Sequence, residues 1–470
     1  MTTYTRVDSS FTIRRGLPLF VSAALTICAP AFTAAGTPTP FAPAASGALV
    51  IYEHATLIDG TGAPPQPDMD VLVDGERIRR IFPARERDSS LAQSARSIDL
   101  RGRYLIPGLI DSHVHLATPP NRRQAEALIR RDLYGGVTAV RDMADDLRAL
   151  ADVTRASRVG EIAGSDIYYA ALMAGPAFFT DKRTIQVTAG DVPGKVPWMQ
   201  AVTEETDVTV AVAMARGTYA RAVKLYAFLS PSLVSRIVTE AHRQNLLVWS
   251  HATLYPTKPS ELVAAGVDAI SHACQLIHET QEDPRRPVLP GAVPLDQFRD
   301  GNNPVLARLF AEMVRRGTIL DATVWVNLDR NLPVGVPANS NLVCDELVAG
   351  AITGQAYRAG VSISAGTDNV STETDSWPEL FHEMEDLAVR AGMPMAQVLR
   401  SATLIGARAA GQELEMGSIE VGKLANMVVM SRDPGAGVQN LRSVVMTVKR
   451  GRLYRREAFK PLRKGDVIDF

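Results

Sequence analysis

The stretch Pro107-Gly108-Leu109-Ile110-Asp111-Ser112-His113-Val114-His115 places two histidines two residues apart at the end of an apolar run. In a β-strand successive side chains alternate between faces, so His113 and His115 point the same way and Val114 the other. On a helix the same pair would stand roughly 200° apart and could not chelate one ion. Two imidazoles on one face of a strand end are half of a metal site. The remaining chain can then be searched for the other half and for the scaffold that holds it.

The scaffold reads from periodicity. Between residues 105 and 414 short apolar runs alternate with amphipathic helical stretches such as Ser232–Gln244 and Val305–Arg316. That alternation marks parallel βα units. Eight strands are predicted: Leu105–His115, Val137–Met143, Ile167–Ala174, Ala222–Ala227, Leu246–Ala252, Ala269–Ala273, Thr318–Val324 and Ile363–Asp368. Eight such strands predict an α/β fold, a closed (β/α)8 barrel of the TIM type, with its site at the C-terminal strand ends. Short β-type runs with glycine turns precede it (48–104) and follow it (415–470). These two segments are expected to form one small flanking β-sandwich domain built from both termini.

Residues ending the predicted strands complete the constellation. Lys224 lies inside the fourth strand, where an unpaired ammonium is costly. His251 ends the fifth strand, His272 the sixth and Asp368 the eighth. Tyr226 shares a face with Lys224, and Trp249 shares one with His251. Both are candidate substrate contacts, as is Tyr255 in the following loop. Two long connections, Gly175–Pro197 and His278–Asn303, are placed to wall the mouth. Asp142 is expected to pair with Arg141, and Asp111 to support the strand end.

Here the chain resembles the amidohydrolase superfamily of metal-dependent hydrolases, in the branch of imidazolonepropionase-like and prolidase-like enzymes. The resemblance spans residues 49–454. It rests on the 105–115 segment, Glu240-Ala241-His242, Ala265 to Ala273, Ser364 to Asp368, and Gly417-Ser418-Ile419-Glu420-Val421-Gly422-Lys423. It implies that Lys224 is carboxylated to a carbamate bridging two divalent metals, with zinc expected. The first metal would take His113, His115, Asp368 and the Lys224 carbamate; the second would take the carbamate, His251 and His272. A water shared by the metals would become hydroxide near neutral pH and attack a carbonyl, with Asp368 moving the proton. The implied activity is hydrolysis of an amide, cyclic amide or N-acyl C–N bond in a small molecule. A dipeptidase or carboxypeptidase is the enzymatic alternative, and an exported binding protein the non-enzymatic one. Two departures weaken the dipeptidase reading. The stretch Ala174 to Thr180 lacks the histidine that holds substrate in such enzymes, and Thr253 stands where a tyrosine is usual.

Composition narrows the classes. Basic and acidic residues nearly cancel, 50 against 51, so there is no nucleic-acid footprint. Arg14 and Arg15 precede the apolar stretch Leu17–Cys28 and then small residues, which predicts a cleaved export signal over 1–35 and a linker over 36–47. The expected location is periplasmic or secreted. Ile27 is too large for a lipoprotein box at Cys28, and no later run is long enough to span a bilayer. With three cysteines there is no disulfide framework. Cys274 and Cys344 could pair if the fold brought them close, but both are read as buried thiols. The family's habit of forming dimers or larger assemblies carries over as an expectation of a homo-oligomer.

Overall fold

The computed structural model describes residues 49–118, 120–281, 293–327, 344–368 and 376–461. The expected export segment and linker lie outside them, as do Glu282, Asp283, Arg285 and Arg286 of the second long connection. The predicted barrel is there. Its strands are β1 (Leu109–Val114), β2 (Val137–Asp142), β3 (Asp166–Ala174), β4 (Ala222–Leu225), β5 (Leu247–His251), β6 (Ala269–Ser271), β7 (Ile319–Asp321) and β8 (Ile363–Ser364). Each pairs in parallel with the next. Two backbone hydrogen bonds close the ring: Ser112 N–H donates to Ala365 O (2.8 Å) and Asp368 N–H to His113 O (2.9 Å). Every residue of β1, β2, β4, β6 and β7 is buried. That is what a strand covered by helices outside and side chains inside requires.

The helices begin and end on local signals. The predicted Ser232–Gln244 helix runs Pro231–Arg243, with Ser230 accepting from Leu233 N–H as its cap and Pro231 at its first position. The predicted Val305–Arg316 helix runs Pro304–Arg316. Asn303 caps its start, and left-handed Gly317 ends it.

Residues from both ends build a second, mixed sheet of eight strands. Its order is Arg452–Arg455, Val444–Lys449, Met427–Met430, Tyr104–Pro107, Leu49–Leu57, Gln66–Asp74, Arg77–Pro83, with Arg96–Asp99 paired to Leu49–Leu57. Tyr52, Val71, Leu105, Met427 and Val448 pack in its own apolar core. A buried ion pair ties this sheet to the barrel: Lys449 Nζ lies 2.8 Å from Asp166 Oδ1 at the start of β3.

Two sequence expectations need correction. Leu105–His115 is not one strand. Tyr104–Pro107 belongs to the terminal sheet, pairing with Met427–Met430, and the barrel strand starts at Leu109. The break falls at Gly108, where a Cβ would stand 2.2 Å from the Thr138 hydroxyl oxygen. Only a glycine lets the chain pass from one sheet to the other so close to β2. The second correction concerns the cysteines. Cys274 and Cys344 are not thiols but form a disulfide, with Cα atoms 5.9 Å apart. It ties the segment after β6 to the start of the Glu346–Arg358 helix. Among the described residues no helix is long and apolar enough to cross a membrane.

Candidate active site

All six predicted donors meet at the C-terminal mouth of the barrel and line one cavity of about 380 Å³. Asp368 stands at its centre. Its Oδ1 lies 3.2 Å from His113 Nε2 and 3.3 Å from His115 Nε2, and its Oδ2 lies 3.5 Å from His272 Nδ1. His113, His272 and Asp368 offer ligand atoms within 4.8 Å of one another. The His251 ring is 4.5 Å from that of His272, and its Nδ1 is buried without a hydrogen-bond partner. Lys224 is 1% exposed and donates from Nζ to Ser271 Oγ at 3.2 Å. His272 and Asp368 both hold left-handed backbone, at φ 76° and 48°. Strain of this kind at non-glycine residues collects where a side chain must be aimed.

The aim of the first two imidazoles is set from behind. His113 Nδ1 is 2.7 Å from Asp321 Oδ2, and His115 Nδ1 is 3.0 Å from Asp145 Oδ1. A ring whose Nδ1 is fixed on a carboxylate behind it points its Nε2 into the cavity, here toward Asp368. Asp321 is itself pinned by Arg141 (3.0 Å) and by the Ser271 hydroxyl (2.8 Å). Asp145 accepts from Ala117 N–H at 2.6 Å and from the Thr118 hydroxyl. Gly366 is part of the same fit. A Cβ there would fall 2.2 Å from Asp321 Oδ1 and 2.8 Å from the Cβ of His113.

Sequence reasoning passed over Asp321 and Asp145. Asp321 ends β7, so the strand-end rule that selects Asp368 could have found it. Asp145 lies past β2 in a loop and carries no such signal. The expected Arg141–Asp142 pair is not formed. Arg141 turns to Asp321 and to Ser112 O, while Asp142 accepts from Leu116 N–H and holds the turn after His115. Asp111 does brace the strand end, accepting from His113 N–H and from the Thr367 backbone and hydroxyl. We expect Asp321→Asn to weaken the binding of a divalent metal at this site by about 10- to 100-fold, because the imidazole loses its charged orienting partner. Competition with a chelator of known affinity measures this, and unchanged affinity would remove Asp321 from the site.

The electrostatics suit a cation. Burial pushes the Lys224 amine down to about 7, with Arg141 adding to the effect and Asp321 and Asp368 opposing it. Burial also holds His251 and His272 well below the ordinary imidazole value, helped by Lys224 beside His251 and by His251 beside His272. For Asp368 burial works upward, but His113 and His272 outweigh it and keep the carboxyl well below its usual range. His115 goes the other way: burial disfavours its proton, yet Asp145 and Asp368 hold its pKa well above normal. Two imidazoles held neutral, those of His251 and His272, an ionised carboxylate and an orphaned ring nitrogen in one pocket are donors that a divalent metal takes.

Of the three candidate substrate contacts, one reaches the cavity. The Tyr226 ring lies against His251 at 4.6 Å and lines the pocket. Trp249 points inward as its strand period requires, but deeper. It is fully buried among Ala170, Ala222 and Ile319, with the Arg141 guanidinium 4.6 Å over its ring. A barrel interior is packed in layers, and Trp249 belongs to the layer beneath the mouth. Tyr255 does not line the cavity either; its ring sits 6.0 Å from that of His278. The connection after β3, by contrast, folds across the mouth and contributes Phe178, Arg183, Val187 and Met199.

Comparison with known proteins agrees with this fold. A 5-methylthioadenosine/S-adenosylhomocysteine deaminase of Syntrophobacter fumaroxidans is 26% identical over 419 residues, covering 81% of this chain and 84% of that protein. Among solved structures, a Xaa-Pro dipeptidase with bound methionine superposes at a TM-score of 0.67 and 21% identity, covering 87% of this chain and all of the other. A. niger ochratoxinase gives 0.69 and 19%, covering 88% and 97%. The family model for amidohydrolases matches residues 104–454, which takes in the whole barrel and the returning strands of the terminal sheet. With the strand-end donors in place across that match, this chain is a member of the amidohydrolase family of hydrolases.

Proposed function

We propose that this protein is an exported metal-dependent amidohydrolase that cleaves a C–N bond of a small molecule: an amide, a cyclic amide or an N-acyl group. One observation carries the reading. Six residues from five strands, His113, His115, Lys224, His251, His272 and Asp368, face one cavity although the first and last lie 255 positions apart in the chain. His113, His115, Asp368 and a carboxylated Lys224 would hold one divalent ion; the same carbamate with His251 and His272 would hold a second. Zinc suits this nitrogen and oxygen set. When bound, the metals would acidify a water and polarise the scissile carbonyl.

The chain's own residues supply the rest. A buried amine whose pKa is pushed down to about 7 is unprotonated far more often at neutral pH than an ordinary lysine. The free amine can bond to the carbon of CO₂ and release a proton, replacing a buried cation with a bridging anion. Asp368 remains ionised at neutral pH, so it can accept the proton of the attacking water. It then returns that proton to the leaving nitrogen, which cannot depart as an amide anion. Asp321 and Asp145 keep two imidazoles aimed during this exchange. The Cys274–Cys344 bond supports the export reading, since such bonds persist in oxidising compartments.

The second reading is a dipeptidase, favoured by the likeness to the Xaa-Pro dipeptidase structure. Deamination is named for the relative from Syntrophobacter. Chelation followed by zinc reloading, on a panel of N-acyl amino acids, cyclic amides, dipeptides and 5-methylthioadenosine, separates the three. We expect turnover of an amide that chelation abolishes and zinc restores, with about two metals per chain. A metal-free protein that turns over nothing would favour the binding-protein alternative.

A further inference from the structure

We propose that Arg183 is the carboxylate anchor of this cavity, and that the substrate is an N-acyl amino acid with a free carboxylate and an apolar body. This rests on the hydrolase reading above and adds what the substrate must carry. The walls above the metal-type residues are largely apolar, formed by Leu172, Phe178, Val187 and Met199. Among the described lining residues, Arg183 is the one arginine or lysine besides Lys224 at the floor. It comes from the Lys182–Val187 helix of the connection after β3.

The guanidinium is held in place before any ligand arrives. Its Nε and one terminal nitrogen donate to Asp181 Oδ1 and Oδ2 at 3.2 and 3.1 Å, and the Tyr226 hydroxyl lies beside it. Asp181 is fixed in turn by accepting from Arg183 N–H at 2.8 Å as the cap of that helix. Two of the five N–H donors are thus committed to Asp181, which leaves three on a side chain that lines the pocket. The side chain is 64% exposed, so a carboxylate can reach it.

Tyr226 sets the spacing. Its ring packs on His251 at 4.6 Å and on Phe178 at 4.5 Å, while its hydroxyl meets Arg183. The Tyr226 ring therefore lies between the metal-type cage and the guanidinium. In an N-acyl amino acid only the nitrogen and Cα separate the scissile carbonyl from the carboxylate. An acyl carbonyl over the cage would thus bring its carboxylate to the hydroxyl end of Tyr226. Asp181 cancels much of the long-range charge, so the anchor works through directed N–H donors. An arginine fork suits a carboxylate better than a lysine point charge does.

The test compares N-acetyl-L-phenylalanine with N-acetyl-2-phenylethylamine, the same amide without its carboxylate, on the zinc-loaded full chain. We expect the acid to be preferred by about 10- to 100-fold in kcat/KM, mostly through KM. Arg183→Met should lose far more kcat/KM on the acid than on the neutral amide, bringing the two together, and Arg183→Lys should recover part of the preference. An Arg183→Met chain that loses activity equally on both, or a wild-type chain that does not discriminate, overturns the proposal. If neither probe turns over, equilibrium binding of both to the same zinc-loaded protein is read instead. Arg183-dependent binding of the acid without turnover upholds the anchor and counts against the hydrolase reading. Hydrolysis that ignores the carboxylate does the reverse, and failure to bind the acid at millimolar concentration also overturns the anchor.

Discussion

Lys224→Met is expected to abolish hydrolysis and to leave less than about one tightly bound zinc per chain, while the metal-free protein becomes no less stable. The two halves of this expectation have one cause. Lys224 is buried to 1% exposure and makes a single side-chain hydrogen bond, to Ser271, with Asp321 and Asp368 as its nearest anionic support. Keeping an ammonium there costs folding energy. An apolar side chain of similar length removes that cost, and replacing buried charge in this way is often neutral or stabilising by about 1–4 kcal/mol. A residue retained against such a cost serves something other than folding. Elemental analysis and thermal melts in chelator read both halves. Bicarbonate should also speed zinc reactivation of the wild-type chain and have no effect on the variant, because only an amine can form the carbamate. Full metal content and full activity in Lys224→Met would end the bridged two-metal reading.

Asp368→Asn is expected to fold normally and to lower kcat by about 10²- to 10⁴-fold, the range for a lost general acid–base. The backbone bond from Asp368 N–H to His113 O is independent of the side chain, so the closure of the barrel survives. What changes is proton affinity. The carboxylate faces His113 and His115 through one oxygen and His272 through the other. The His113 and His272 contacts hold it ionised below the usual carboxylate range. An amide of the same shape carries no charge, cannot take a proton from water near neutral pH, and binds a cation more weakly. Measuring kcat at saturating zinc isolates the proton-transfer loss from the metal loss. A kcat within a few-fold of wild type under those conditions would move the proton-transfer role to another residue.

Much of the cage was legible in the chain because strand geometry is local. A two-residue period aligns His113 with His115, and polar residues ending apolar runs mark His251, His272 and Asp368. A lysine inside a strand, as at Lys224, marks itself by its cost. Burial depth is not local, which is why Trp249 and His251 share an inward face while only His251 reaches the mouth. Nor was Gly108 readable as a break between two sheets. Its role depends on Thr138 of the next strand and on Met427–Met430 returning from the far end of the chain.

By itself, then, the sequence determined the order of parallel strands, the faces on which the donors lie and the residue types fit to hold a cation. These follow from backbone periodicity and solvation cost, which act over a few neighbouring residues. Tertiary structure alone decided the partners: Asp321 behind His113 across 208 positions, Asp145 behind His115, Cys344 bonded to Cys274, and Arg183 brought to the Tyr226 hydroxyl. Each of those contacts joins segments whose separation along the chain carries no information about their distance in space, and only the closed barrel brings them within bonding range.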